Sequence, residues 1–368
     1  MTVAVRIVRT FEDLRSVAGR WNALLESTSS DSVFMTWEWL YTWARHYLDE
    51  RQLWVALGFK NEELIGIAPL YVSKRSLGGL TIREMRFLGS EHVGSTQLDF
   101  VVRRRHRPSF LRAVYRHLHE EAGRDWDILT LTDLPADSPS IDVWERLADE
   151  TGRVLEIPGM SVAPFIDLRG GLEPFLVSLS GNERSNLRRK QRHLTELGTV
   201  AHERLSSSRD ADKGLDLLIH LHQLRWSRRG AAGVFGDERR RLFHRDIARL
   251  FSEKGWLRLD FLLLNGEAIA GIYGYAYRGR YSFYLPGLNP TVAAKASPGL
   301  LLLFRCVEEA VHEGCHEFNL LQGAADYKTA WATGAHRGIT LRYYNRHVRS
   351  AAVKALHSAR SAIKVLVR

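Results

Sequence analysis

The sequence predicts an α/β protein with mixed sheets, built as two similar halves followed by a basic helix. Three observations lead there. A chain of 368 residues exceeds what one hydrophobic core ordinarily serves, and its 45% hydrophobic content suffices for two. Apolar residues switch repeatedly between period 2 and period 3.6, the mark of strands interleaved with helices. The same order of segments also occurs twice, with EELIGIAPLY in the first half matched by GEAIAGIYGY in the second, at a spacing too long for a solenoid.

In the first half, Val3 to Val8 alternates as a strand, and Phe11 to Leu25 repeats its apolar residues at helical spacing. A second helix, Trp37 to Leu48, leads into a hairpin of Leu53 to Phe59 and Leu64 to Val72 about the polar turn Lys60-Asn61-Glu62-Glu63. Thr81 to Leu88 and Gln97 to Val102 read as strands, Pro108 to Glu121 as a helix opened by its proline, and Trp126 to Leu131 as a strand, with Pro135 to Pro139 ending the run. The second half repeats the order. Strand Thr199 to Leu205 precedes helices Lys213 to Arg228 and Asp237 to Lys254. Strand Leu257 to Leu264 turns at Asn265-Gly266, a pair suited to a tight hairpin, into Ala268 to Tyr277. Arg280 to Leu285, helix Pro298 to His312 and strand Glu317 to Leu321 follow. The stretch FNLLQGAADYKTAW, Phe318 to Trp331, closes the unit as a strand, a Gln322-Gly323 break and a short helix. Domain limits of 1–160, 161–346 and 347–368 result.

Lys plus Arg number 52 against 42 Asp plus Glu, so the net charge is +10 and the pI near 9.7. Such a balance favours an anionic partner: a phosphorylated cofactor, nucleic acid or anionic lipid. Cys306 and Cys315 are the only cysteines, which excludes a disulfide framework and points to a reducing cytoplasm. MTVAVRIVRT reads as a first strand rather than a signal peptide, and no apolar run reaches the length of a membrane span. His220 and His222 lie two apart on a helix and face different ways, so no metal pair is expected. In the last helix, Val348 to Val367, one stripe is alanine-rich and apolar and the rest carries Arg349, Lys354, Arg360, Lys364 and Arg368. That helix suits either packing on the protein or peripheral contact with the anionic inner face of a membrane.

Particular residues narrow the reading. FMTWEWL (with Phe34, Trp37, Trp39), GIAPL, RFLG, RSNLRRKQRHL from Arg184, HQLRWSRRG from His222, SPGLL from Ser297, and Gly323 with Tyr327, Lys328 and Trp331 together resemble the CelD-type (BioF2-like) acetyltransferases, a family similar to the Fem-type aminoacyltransferases. The resemblance spans residues 34–334. It implies two tandem GNAT-like domains and acetyl-CoA, or another acyl-CoA, as co-substrate. Two departures stand out: Ala325 occupies the place of an expected acid, and Thr132-Asp133-Leu134-Pro135 in the first half has no Tyr-Lys pair. Chemistry is therefore expected in the second half, with the first half shaping a cleft.

Acyl transfer from a thioester to an amine needs a donor pocket and a proton for the leaving thiolate. Ser297-Pro298-Gly299 with Leu300 opens a helix whose N–H groups suit a pyrophosphate, or is an ordinary helix start. The strand end at Tyr284, Leu285 and Gly287 would, as the resemblance implies, face a pantetheine arm. Tyr327 is the candidate proton donor, the alternative being an aromatic stripe shared with Trp331; Lys328 is either an oxyanion or substrate contact or a solvated lysine. Asp326 is the nearest base, though it reads more simply as a helix cap, in which case a water relay serves. Arg225, Trp226, Trp39 and Arg188 are candidate acceptor contacts. For both tryptophans a core position is the plainer reading, and the basic run Arg184, Arg188, Arg189, Lys190 and Arg192 either contacts the cofactor's phosphates, tRNA or an anionic glycan or is a solvated helix face.

The expected function is N-acylation of a small-molecule or glycan amine, such as an amino sugar or an envelope polysaccharide precursor, without metal, in the cytoplasm. The other readings are a Fem-like transferase using aminoacyl-tRNA, the only one that involves nucleic acid, and a non-catalytic accessory protein of polysaccharide synthesis. Oligomeric state is not legible.

Overall fold

A computed structural model describes residues 3–28, 30–120, 122–228, 230–292, 294–323 and 325–366. In chain order the elements are β1 (Ala4–Val8), α1 (Phe11–Ser16), α2 (Ala18–Leu25), α3 (Trp37–Tyr47), β2 (Gln52–Lys60), β3 (Glu63–Leu77), β4 (Leu80–Phe87), β5 (Val101–Val102), α4 (Arg107–Glu120), β6 (Ile128–Pro135), α5 (Pro139–Glu150) and β7 (Leu155–Asp167). Then follow α6 (Leu172–Ser178), α7 (Gly181–Glu196), β8 (Val200–Arg204), α8 (Ala211–Ser227), α9 (Glu238–Glu253), β9 (Leu257–Leu264), β10 (Glu267–Tyr277), β11 (Arg280–Leu288), α10 (Pro298–His312), β12 (Glu317–Asn319), α11 (Asp326–Trp331), β13 (Gly334–Tyr344) and α12 (Val348–Leu366). Two compact units result, Met1–Ser161 with Arg337–Arg368, and Val162–His336. Residues 337–346, grouped with the second half on sequence, thus belong with the first unit.

In the first unit the strand order is β1-β2-β3-β4-β6-β13, with β5 beside β3; β4 and β6 run parallel and the other pairs antiparallel. Trp21, Trp39, Trp43, Trp54, Trp126 and Trp144 are fully buried in it. A charged knot lies within this apolar mass. Asp99 pairs with Arg107 at 3.1 Å and accepts hydrogen bonds from Ser138 at 2.7 Å and Ser140 at 2.8 Å, which satisfies the carboxylate away from water. Val353 of α12 is buried with Leu77, Ile82, Ile128 and Tyr344, so the described part of the last helix packs on this unit. Among the described residues no helix is long and apolar enough to cross a membrane.

The second unit repeats the plan. Its order is β8-β9-β10-β11-β12-β7, again with one parallel pair, β11 and β12, between the fourth and fifth places. Helix α8 packs on β10 and β11, and α10 on β9, β10 and β11. The sixth strand of each unit comes from an unexpected part of the chain: β13 follows the second unit yet pairs its 338–344 stretch with β6, and β7 begins in the first unit yet pairs its last residues with β12.

Other expectations shift for local reasons. The single helix over Phe11 to Leu25 breaks at Val17, whose φ of −100° and ψ of 1° end α1 and cap α2. Gln97 to Val102 pairs only at Val101–Val102: Gln97 adopts a left-handed φ of 56°, Leu98 N–H donates to the Asp133 carbonyl, and Phe100 N–H donates to the Asp99 carboxylate. Strand β7 escapes a periodicity search since Pro158, Gly159 and Pro164 interrupt its apolar residues, and α5, α6 and β13 were likewise not anticipated. Glu121 and Val367, the expected ends of two helices, lie outside the described residues.

Removing one partner of the buried Asp99–Arg107 pair strands the other. Asp99→Ala is expected to destabilise the protein by about 3–5 kcal/mol in denaturant titration, with an unchanged denaturant slope.

Candidate functional site

The site grows from one irregularity in the sheet of the second unit. Along β10 and β11, Tyr273 faces Leu285 and Gly274 faces Phe283, so Tyr284 is an extra residue with no opposite. A bulge of this kind bends its strand and disrupts the ladder on either side. On its other edge, β11 bonds to β12 only through Arg280 to Ser282, against Glu317 to Asn319. Beyond that point β12 turns away: Leu320 N–H donates to the Pro164 carbonyl of β7 and Leu321 takes a left-handed φ of 55°. The strands part, and Pro286, which has no N–H to offer a neighbour, lies on the freed length of β11.

The opening is a cavity of about 550 Å³. Phe283, Pro286, Gly287 and Leu288 line it from β11, Ser297 to Leu300 and Leu303 from the start of α10, Tyr327 from α11, and Arg225 and Arg228 from the end of α8 and just beyond it, with Asn289 and Pro290 at the side. Arg228 is fixed by donating to the Pro290 carbonyl at 2.9 Å. The Tyr327 ring meets Phe283 edge-on at 6.4 Å, and its hydroxyl has no hydrogen-bond partner among the described residues. Burial raises the phenol's pKa, with Arg225 pulling the other way, so it stays protonated at neutral pH. Six of the residues singled out on sequence, Tyr327, Gly287, Ser297, Gly299, Leu300 and Arg225, meet here.

Lys328 is neither solvated nor a wall of the cavity. Its side chain is buried, with Nζ donating to the Gln322 carbonyl at 2.8 Å and lying 5.7 Å from the Phe283 ring centre. The Leu321 carbonyl is 3.4 Å away. Asn319 Oδ1 accepts the Leu321 N–H at 2.9 Å from the opposite side. Together they hold the 320–323 turn that carries β12 away from β11. Burial lowers the ammonium pKa to about 8 from its ordinary 10.5. Asp326 is exposed and is the first residue of α11, whose cap is Ala325; it neither caps the helix nor lines the cavity. Trp331 packs against Phe175 and Phe304 in the core.

Two glycines of the cavity owe their identity to different causes. A Cβ on Gly287 would meet Leu221 Cβ at 2.8 Å, His222 N at 3.0 Å and the Leu218 carbonyl at 3.1 Å, so this glycine admits helix α8. A Cβ on Gly299 would meet nothing closer than Leu288 Cδ1 at 3.9 Å. Protein packing therefore leaves the start of α10 open, where Ser297 holds a left-handed φ of 49° and makes no side-chain cap. A helix start with free space at its second residue and two arginines nearby fits a phosphate-bearing ligand.

The other sequence candidates lie elsewhere. The Tyr284 side chain turns towards His244, 3.4 Å from its Nε2, and packs edge-on to Tyr273 and tilted against Tyr275, so only its backbone belongs to the bulge. Leu285 lies between Phe283 and Pro286 on β11 without lining the cavity itself. Trp39 is fully buried in the first unit, donating to Ser95 Oγ. Trp226 is half-buried beside His222, and Arg188 lines a different cavity with Leu187, Leu301 and Phe304. No group of His, Cys, Asp or Glu among the described residues is placed to hold a metal. Burial raises both thiols, Cys315 to about 11, so neither is a ready nucleophile. Phe283, Arg228 and the bulge were missed on sequence; Pro286 inside a strand was the available signal.

Residues 181–329 match the family model described as an acetyltransferase (GNAT) domain. No curated protein matches the chain. Among solved structures, FemX is 11% identical with a TM-score of 0.63 over 94% of this chain and 97% of its own. A tandem GNAT protein from the clavulanic acid biosynthesis pathway is 13% identical, with a TM-score of 0.50 over 94% and 99%. L-PGS from Bacillus licheniformis is 14% identical, with a TM-score of 0.50 over 92% and 96%. At these identities the likeness is one of fold. The chain has two tandem GNAT-like halves, and the second carries a GNAT-type acyltransferase domain.

Gly287→Ala is expected to destabilise the protein by about 1–3 kcal/mol through overpacking, while Gly299→Ala leaves its melting temperature close to wild type. For Lys328 the unfolded state keeps its proton up to about 10.5 and the folded state loses it near 8, so wild-type stability rises between these values as the cost of a buried charge disappears. Relative to Lys328→Met, the wild type should therefore gain stability across pH 8 to 10.5 and show no such change below 8.

Proposed function

We propose that this acyltransferase moves an acyl group, most simply acetyl, from acyl-CoA to an amine in the cavity between β11 and β12. The parting of these strands with Tyr327 beside it carries the reading. When bound, acyl-CoA supplies an activated thioester. On this reading the freed length of β11 lies along the pantetheine arm, and the start of α10, with Arg225 and Arg228 close by, takes the pyrophosphate. Tyr327, kept protonated by burial, donates its proton to the departing sulfur. Lys328 acts through the turn it braces and is a positioning residue. Among the described residues no carboxylate or histidine lines the cavity, so on this reading the amine gives its proton to water.

For the acceptor we infer an amino sugar or an envelope polysaccharide precursor, on the strength of the resemblance to CelD-type proteins. The likeness to FemX lies in the fold and lends no separate support to a tRNA-bound donor.

Acetyl-CoA should raise the melting temperature of the purified protein in a concentration-dependent way. Tyr327→Phe should retain that shift but lose about a hundredfold or more in kcat, measured as thiol release with an amine acceptor. An equal loss of the acetyl-CoA shift would move Tyr327 from catalysis to binding, and no shift with any acyl-CoA, alongside salt-sensitive tRNA binding, would replace the donor.

A further inference from the structure

Next to the Ser297 end of α10 lies a second cavity, of about 520 Å³, lined by Arg189, Lys190, Arg192, His193 and Glu196 of α7 and by Lys295. Four permanent cations face it against one acid. Several arginines elsewhere in the same unit are matched with carboxylates: Arg204 with Asp260 and Glu313, Arg249 with Asp212, Arg258 with Glu313, Arg305 with Glu309. In the groove, Arg189, Lys190, Arg192 and Lys295 form no ion pair among the described residues, and Arg189 bonds only to Asn186 Oδ1, at 2.8 Å. Lys190 is half-buried, and its pKa is lowered by that burial and by Arg189. Crowding like charges costs free energy unless an anion neutralises them.

Position supplies the second argument. Lys295 lies in the turn Ala294–Ala296, against which α7 packs, two residues before Ser297 of the acyl-CoA cavity. The groove and the cavity therefore flank the same chain segment. A ligand whose pyrophosphate sits at the start of α10 would bring its next phosphate within reach of α7.

We propose that this groove binds the 3′-phosphate on the ribose of the acyl-CoA nucleotide. The inference rests on the acyl-CoA reading given above. A phosphate monoester carries nearly two negative charges at neutral pH and accepts several hydrogen bonds, which suits converging Lys and Arg side chains. Cations gathered at one turn of α7 and one loop suit a single phosphate better than the long backbone of a nucleic acid, which calls for an extended basic stripe.

The test compares CoA with 3′-dephospho-CoA by calorimetry on the full chain, in wild type and in the double variant Lys190→Ala/Arg192→Ala. Arg192 is exposed and Lys190 half-buried, and an unchanged melting temperature confirms that the variant is folded. Wild type should bind CoA about tenfold or more tightly than the dephosphorylated form, a preference that shrinks at high salt. The double variant should bind both equally, at the affinity wild type shows for dephospho-CoA. The inference is overturned if wild type binds both equally, or if the variant keeps the full preference. If neither compound binds wild type, the acyl-CoA reading fails with it; if the variant loses only tRNA binding, the groove belongs to RNA. Lys295→Ala serves as an independent single variant, expected to lose part of the preference.

Discussion

A cleft in a β-sheet needs something to keep two adjacent strands from zipping together, because each pair of free N–H and C=O groups favours closure. In the second unit that is achieved from both strands. The extra residue at Tyr284 bends β11, and the left-handed turn at Leu321 leads β12 off towards β7. A left-handed leucine is costly on its own, and the turn persists because Asn319 and Lys328 hold its amide and carbonyl groups from two sides. The cavity, the freed edge of β11 and the place of Tyr327 all follow.

The lysine is an uncomfortable brace. Its ammonium is satisfied by neutral carbonyls, without a carboxylate, and burial has moved its titration towards the physiological range. A carboxylate in the same place would bond the ammonium more strongly but would set a negative charge beside the cavity that Arg225 and Arg228 line. Neutral partners keep the surroundings electropositive, in line with Arg225, Arg228 and the basic groove of α7.

The second-unit hairpin was legible in the sequence because Asn265-Gly266 and the alternation of its strands leave little choice, and helix α10 was legible from Pro298 to His312. So were the residues gathered at the cavity by the start of α10 and by α11. What stayed hidden depends on pairing partners distant in sequence. A bulge is a mismatch between two strands and has no signature in either alone, and the direction of the Lys328 side chain follows from the turn after β12 whose carbonyl it meets. Period placed Lys328 off the aromatic face of its helix; of the two readings left open there, the solvated lysine does not hold, because the Gln322 carbonyl of the preceding turn takes its ammonium. Trp39 shows the converse: an aromatic residue in a family-like motif serves the core of the first unit.

The exchange of closing strands affects how the molecule can be dissected. A fragment ending at residue 160 would lack β13, leaving β6 with an unguarded edge, and one spanning 161–346 would carry the 337–344 ribbon without the strand it was made to join. Either piece is inclined to recruit a foreign strand, from a neighbouring copy for instance, and so to associate or precipitate. The first half is thus incomplete until the chain has passed through the second and delivered its last strand.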